Sequence, residues 1–234
     1  MKKKIMASLL VGSAVVGASL APLSAQAVTT GNTPVQVEFD GGVLPDQGDN
    51  TGENVDPDPT KPNTNFDLLA IPRTFDFSPV KIGEDLTSIK LLPLEFRSRA
   101  VMVGDLRGTK EGWHLTAKSN EMSLGSEKLS GNITIGELDT RVVRFSTTRN
   151  IYETYSVVDA NDPTVPQLLI PGKLVLDLGG DAKILANASL GRGQGLWGFS
   201  MKDITMNITT PYQQIKAGAY TGNITWNLVA GPSI

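Results

Sequence analysis

The chain has 234 residues, with 21 Lys and Arg against 24 Asp and Glu, one histidine and no cysteine. A net charge of −3 argues against nucleic acid and anionic membrane surfaces as partners, because both attract basic proteins. The lack of cysteine excludes thiol catalysis, disulfides and Cys-ligated metals.

The first 27 residues have the pattern of a secretory signal peptide. Lys2–Lys4 precede an apolar run, Ile5–Leu20, and Ala25-Gln26-Ala27 matches the A-x-A pattern of a cleavage site. The apolar run is too short and glycine-rich for a permanent membrane span. We therefore expect secretion, cleavage after Ala27, and a mature chain of residues 28–234 that has no membrane span.

The segment after the cleavage site predicts one strand and then an irregular stretch. Val35-Gln36-Val37-Glu38-Phe39 alternates apolar and polar residues, as a strand does. Residues 41–65 are dominated by Gly, Pro, Asp and Asn, so we predict a mobile loop or linker that buries no apolar surface. The acids of residues 46–58 leave weak calcium binding open, although their spacing does not match an EF-hand.

From Phe66 onward the chain is a succession of short alternating runs, most of them separated by Gly, Pro, Asn or Asp. The predicted strands are Ile82–Leu94, Arg99–Val103, Trp113–Ala117, Ile133–Ile135, Val142–Phe145, Leu174–Leu178, Ala182–Ala188, Phe199–Thr209 and Tyr220–Val229. No segment has a sustained helical period. This pattern predicts an all-β chain with a single β-sandwich-like domain and long irregular loops.

Two of the three tryptophans share a W-x-L-x-A frame, in Trp113-His114-Leu115 and Trp226-Asn227-Leu228. Residues i and i+2 of a strand point to the same face, so each string places an indole beside a leucine. If the two strands were neighbours, they would form one apolar cluster. Such tryptophans are usually core residues, and we favour that interpretation over an exposed ligand platform.

Asp105 and Arg107 precede the first W-x-L string. Their i and i+2 spacing predicts a salt bridge that fixes the turn before Trp113. We expect the pair to be structural rather than catalytic, and exposed pairs contribute little free energy.

The sequence argues against an enzyme. His114, the single histidine, lies inside a W-x-L string, and the chain contains no G-x-S-x-G elbow for a Ser-His-Asp triad. One histidine with carboxylates is an atypical zinc site. No pair of carboxylates stands out for glycoside hydrolysis. We expect no catalytic residue, no cofactor and no metal.

Several stretches together resemble the WxL domain of Gram-positive cell-surface proteins, over roughly residue 35 to the C-terminus. Phe75-Asp76-Phe77 resembles an early strand of that domain, with Ser78 where a glycine is common. The other stretches are Asp105-Leu106-Arg107-Gly108-Thr109 with Gly112-Trp113-His114-Leu115, the Gly-rich Gly191–Gly195 before Trp197, and Gly218-Ala219-Tyr220 with Ile224-Thr225-Trp226-Asn227-Leu228.

The resemblance implies non-covalent attachment to the cell wall, peptidoglycan as the ligand, and partnership with membrane-anchored WxL-interacting proteins. It marks Trp113, Leu115, Trp226 and Leu228 as motif positions without deciding between ligand contact and core. The alternative is a protein–protein subunit or adhesin held at the wall by a partner, with other WxL proteins or host matrix as open targets. A groove with Trp and a polar rim would favour wall binding, whereas an unpaired sheet edge would favour the subunit.

Overall fold

The computed structural model describes residues 32–48, 52–93, 99–159, 161–169 and 173–232. The predicted signal peptide and its cleavage site lie outside these residues. Contacts divide the chain after Glu38, and residues 39–234 form one compact unit. None of the described helices is long and apolar enough to cross a membrane.

The described residues are almost entirely β-structure, which confirms the predicted fold class. The single helical element among them is a 3-10 turn at Tyr212–Gln214. The strands are β1 (Asn54–Val55), β2 (Phe66–Pro72), β3 (Ile89–Lys90), β4 (Arg99–Asp105), β5 (Trp113–Ser119), β6 (Met122–Leu124), β7 (Glu127–Leu129), β8 (Gly131–Ser146), β9 (Ile151–Val157), β10 (Gln167–Leu168), β11 (Leu174–Asp177), β12 (Lys183–Ala188), β13 (Gly195–Ile208) and β14 (Ile224–Ala230).

Two antiparallel sheets and a small hairpin make up the compact unit. The larger sheet has the order β1-β2-β4-β13-β8-β11, with β3 beside β13 and β9 beside β8. The smaller sheet has the order β10-β12-β5-β14, and β6 pairs with β7. Strands β8 and β13 pair with each other, and along its other edge each is long enough to pair with two further strands, β11 and β9 for β8, and β4 and β3 for β13. The separately predicted Ile133–Ile135 and Val142–Phe145 are therefore parts of one strand.

The main core lies between the two sheets, as in a sandwich. Alternate residues of the larger sheet, such as Val101, Val103 and Phe199, pack with Trp113 and Leu115 of the smaller sheet. A second, smaller cluster contains the residues that alternate with them in β4. Strand β4 is consequently buried along its whole length.

Residues 41–65 contradict the expectation that this stretch buries no apolar surface. Leu44 is only 1% exposed and packs in the second cluster. The Gln47 Nε2 donates to the Leu69 carbonyl oxygen over 2.9 Å, and the Tyr152 hydroxyl donates to the Pro45 carbonyl oxygen over 2.6 Å. Leu44 can be buried here because Gly104, against which it packs, has no side chain and leaves room for it. This single leucine therefore attaches an otherwise polar stretch to the core.

Two predicted strands are wrong. Val35–Phe39 forms no strand and is exposed, because alternation makes a strand only where a sheet edge pairs with it. Of Ile82–Leu94, only β3 is a strand, and Leu94 lies outside the described residues. Conversely, the predictions did not include β2, β9 or the β6–β7 hairpin.

Candidate functional site

The two W-x-L strings lie side by side in the smaller sheet. Strand β14 pairs antiparallel with β5, so that Leu228 lies opposite Leu115, Trp226 opposite Ala117, and Ala230 opposite Trp113. This confirms that the two motifs form one cluster. Trp113 and Leu115 are fully buried, whereas Trp226 and Leu228 are half-buried against the same core.

Trp113 is a core residue with a satisfied polar atom. Its Nε1 donates to the Gly193 carbonyl oxygen over 3.0 Å, and its ring meets Phe199 edge to face with centroids 6.2 Å apart. Gly193 lies at φ +79°, and a Cβ there would be 2.6 Å from the indole nitrogen. Gly193, within the Gly-rich Gly191–Gly195, therefore packs directly against the Trp113 indole.

Asp105 and Arg107 form the predicted salt bridge, in which Asp105 is buried and Arg107 is partly buried. The Arg107 Nε and Nη2 donate to the two Asp105 carboxylate oxygens over 2.9 and 2.8 Å, and Nη2 also donates to the Gly112 carbonyl oxygen. This bond to Asp105 is the largest cause of the raised pKa of Arg107. Glu111 and the Phe66 ring contact the guanidinium as well. The pair thus closes the loop that leads into Trp113.

Asp105→Asn is expected to lower the free energy of unfolding by about 3 kcal/mol, the low end of the range for breaking a buried ion pair. The low end applies because Arg107 retains its contacts with the Glu111 carboxylate and the Gly112 carbonyl oxygen. Urea denaturation measures this loss. The control is Glu137→Gln, which breaks the exposed Lys202–Glu137 pair and should cost less than about 1 kcal/mol. Equal small losses in both variants would contradict a structural role for Asp105.

A cavity of about 390 Å³ lies beside the start of β14. One wall is the segment Arg73–Phe77, which follows β2, and another is formed by Ile224 and Trp226. Phe75 and Phe77 are half-buried, whereas Arg73, Asp76 and Asn223 are exposed at its rim. The cavity therefore combines aromatic walls with polar groups of both charges.

Arg99 supports one wall of this cavity. It is 7% exposed, its Nε donates to the Thr74 carbonyl oxygen over 3.0 Å, and its guanidinium lies 5.8 Å from the centroid of the Phe75 ring. Burial lowers the pKa of Arg99. These contacts of Arg99 fix the positions of Thr74 and Phe75, which line the cavity.

Of the six predicted site residues, Trp226 lines this cavity and the other five do not. Trp113, Leu115 and Leu228 belong to the core or pack against it, and Asp105 with Arg107 closes a loop. Sequence reasoning did not find the remaining cavity residues. The available signal was Phe75-Asp76-Phe77, whose alternation places both aromatic rings on one face.

Aromatic walls and polar rims suit carbohydrate, because sugar rings have apolar faces and a hydroxyl edge. Arg73 offers a donor to a carboxylate, and Asp76 offers an acceptor to hydroxyl or ammonium groups. No group of three His, Asp or Glu side chains that could hold a metal ion occurs in the described part of the chain. Asp46 and Asp56, from the stretch considered for calcium, accept the backbone N–H groups of Asn63 and Asp58.

The chain matches a family model described as WxL domain, surface cell wall-binding, over residues 26–232. That range contains both W-x-L strands, the Asp105–Arg107 loop and the cavity. No curated protein and no solved structure matches the chain.

Proposed function

Because the chain belongs to the WxL domain family of surface cell wall-binding domains, we propose that it is an exported protein of Gram-positive cells that binds peptidoglycan without a covalent link. Its cavity beside β14 is the binding site in this proposal. The protein acts by binding, and it does not cleave the wall.

The observation that carries the proposal is the position of Trp226. It comes from a W-x-L string, yet it is half-buried and lines a cavity with a polar rim, whereas its counterpart Trp113 is sealed in the core. Small-ligand sites are typically concave and mostly apolar, with a few polar groups that fix orientation. Trp226 and Phe75 would contact sugar rings, and Arg73 would take a carboxylate of the stem peptide.

The charge of the protein favours recognition by a local site. Peptidoglycan carries carboxylates, and the wall also carries phosphates, so a chain with a net charge of −3 gains nothing from bulk attraction. Arg73 at the rim supplies the local positive charge. Salt should screen the contact of the exposed Arg73 but leave the aromatic contacts with sugar rings in place, so binding should weaken only modestly.

Trp226→Ala is expected to weaken binding of residues 28–234 to protein-free sacculi by about 30-fold, equivalent to roughly 2 kcal/mol for one aromatic anchor. A sacculus pull-down over a range of protein concentrations measures the change. The matched control is Tyr155→Ala, which removes an aromatic ring that is 62% exposed and outside the cavity, and should leave binding unchanged.

The same pull-down separates binding from catalysis. The supernatant should contain no soluble muropeptides beyond a protein-free control. Muropeptide release that one Asp or Glu substitution abolishes would show an enzyme instead. If the folded Trp226→Ala variant binds sacculi as well as the unmodified protein, the binding site lies elsewhere and the cavity assignment is wrong.

The second candidate function is a subunit that reaches the wall through a WxL-interacting protein. The position of β14 at the end of the smaller sheet favours it, because the edge of β14 away from β5 pairs with none of the described strands, and such an edge is a ready site for another chain. This candidate predicts no binding to protein-free sacculi and restored binding when the partner protein is added.

A further inference from the structure

The larger sheet has an opening where β13 changes its strand partner. On the edge away from β8, β13 pairs with β4 as far as Met201 opposite Arg99, and pairing resumes with β3 at Thr205 opposite Lys90. Residues 202–204 of β13 therefore have no strand partner on this edge among the described strands. A cavity of about 250 Å³ lies at this opening, between β3, β4 and β13.

Three cationic side chains from three different strands line this second cavity. They are Lys90 of β3, Arg99 of β4 and Lys202 of β13, and the one acid among the described lining residues is Asp203. Lys202 forms ion pairs with two carboxylates of β8, whereas Lys90 is exposed and has no ion pair within the described part of the chain. The cavity therefore carries an excess of positive charge in a chain whose net charge is −3.

Arg99 has unpaired hydrogen-bond donors although it is only 7% exposed. Its Nε donates to the Thr74 carbonyl oxygen, and the described residues give its Nη atoms no hydrogen bond and no ion pair. These nitrogens are not sealed from solvent, so they reach the cavity that Arg99 lines. Glu53 and Asp76 favour its charged form from a distance, against the burial that lowers its pKa.

Burying a charged group is unfavourable unless hydrogen bonds and an opposite charge compensate for the lost water. Arg99 has only part of that compensation, because one carbonyl oxygen accepts from it and no carboxylate contacts it in the described residues. An anion in the cavity would accept from the Nη atoms and offset the remaining cost. The unpaired guanidinium is therefore the observation that points to a ligand.

We propose that this cavity binds a phosphate group. Arginine binds phosphate through paired N–H groups, and lysine binds it as a point charge. Phosphate oxygens are arranged tetrahedrally, so they can accept from donors on three strands, whereas the two oxygens of a carboxylate lie in one plane. The volume is below the range of about 300–1,000 Å³ that is typical of small-molecule sites. The cavity therefore takes a single charged group, and the rest of a larger ligand would extend into solvent.

The phosphate site is separate from the cavity beside β14. The two cavities share none of their described lining residues. The phosphate can come from a polymer of the wall, where it would add a charge-dependent contact to the proposed binding of peptidoglycan, or from free phosphate. Both sources present the same chemistry to Lys90 and Arg99.

Isothermal titration calorimetry of residues 28–234 with inorganic phosphate should show binding that acetate does not reproduce. Lys90→Gln should raise the dissociation constant for phosphate about tenfold, the effect of losing one charge-assisted hydrogen bond. Lys118→Gln is the matched control, because it removes the same charge from an exposed position of β5 outside the cavity. It should change the constant less than about twofold, since salt screens distant charges.

Asp203→Asn tests the same site in the opposite direction. It removes the one acid of the described lining and should lower the dissociation constant for phosphate about threefold, because a like charge no longer repels the ligand. Asp203 lies at φ +50°, a conformation that asparagine adopts as readily as aspartate, so the fold should be unchanged. Weaker phosphate binding by this variant would contradict the proposal.

Sacculus pull-downs identify the source of the phosphate. If it belongs to the wall, Lys90→Gln should reduce binding to sacculi that retain their phosphate polymers and not to sacculi stripped of them. If the ligand is free phosphate, Lys90→Gln should change the calorimetric result alone. Trp226→Ala should leave phosphate affinity unchanged, so the two sites are tested separately. No phosphate binding, equal binding of acetate, or equal effects of Lys90→Gln and Lys118→Gln would overturn the phosphate site.

Discussion

Trp113→Ala is expected to lower the free energy of unfolding by about 4 kcal/mol, within the range for deleting a large buried aromatic side chain. The ring is fully buried, contacts Phe199 edge to face, and donates a hydrogen bond to Gly193. Alanine loses these contacts, leaves a cavity between the sheets and orphans the Gly193 carbonyl oxygen. Urea denaturation monitored by circular dichroism measures the loss.

Trp226→Ala is the comparison for this variant. Trp226 occupies the equivalent place in the second W-x-L string, but it is half-buried, so its truncation should cost about half as much. The pair of variants separates the roles: Trp113→Ala should lose wall binding because the protein unfolds, whereas Trp226→Ala should lose binding while folded. A fully stable Trp113→Ala protein would contradict the core role.

Gly193→Ala is expected to cost about 3–5 kcal/mol, the sum of left-handed backbone strain and an overpacked core. Gly193 lies at φ +79°, and an added Cβ would be 2.6 Å from the Trp113 indole nitrogen and in collision with the Ala188 side chain. The methyl group therefore competes for the space in which Trp113 forms its hydrogen bond. Thermal unfolding should show a much lower melting temperature.

Gly191→Ala is a matched control two residues away. Gly191 has a similar backbone angle, φ +86°, but no atom lies within 4 Å of the position of an added Cβ. Gly191→Ala should therefore lower the free energy of unfolding only by the backbone strain of alanine at positive φ, about 1 kcal/mol. The difference between the two losses of unfolding free energy isolates the steric cost of a methyl group placed against Trp113 and Ala188. Equal losses would mean that backbone strain, and not packing on Trp113, accounts for the glycine.

Periodicity and turn residues were sufficient to predict the all-β fold and most of the strands that form the core. They failed at Val35–Phe39, where alternation occurs without a sheet partner, and at Leu44, where a polar stretch hides one buried leucine. Both failures have the same physical origin. Strand formation and burial depend on what lies opposite a residue, and composition within a short window does not contain that information.

The sequence by itself determined the residue types of the W-x-L strings, the side of the strand on which each indole lies, and the proximity of Asp105 to Arg107. Only the tertiary structure decided that Trp113 is sealed while Trp226 lines a cavity. The reason is the place of each strand in its sheet: β5 has a strand on both sides, whereas β14 is an edge. Identical local patterns therefore have different burial, because burial is set by neighbours that are distant in sequence.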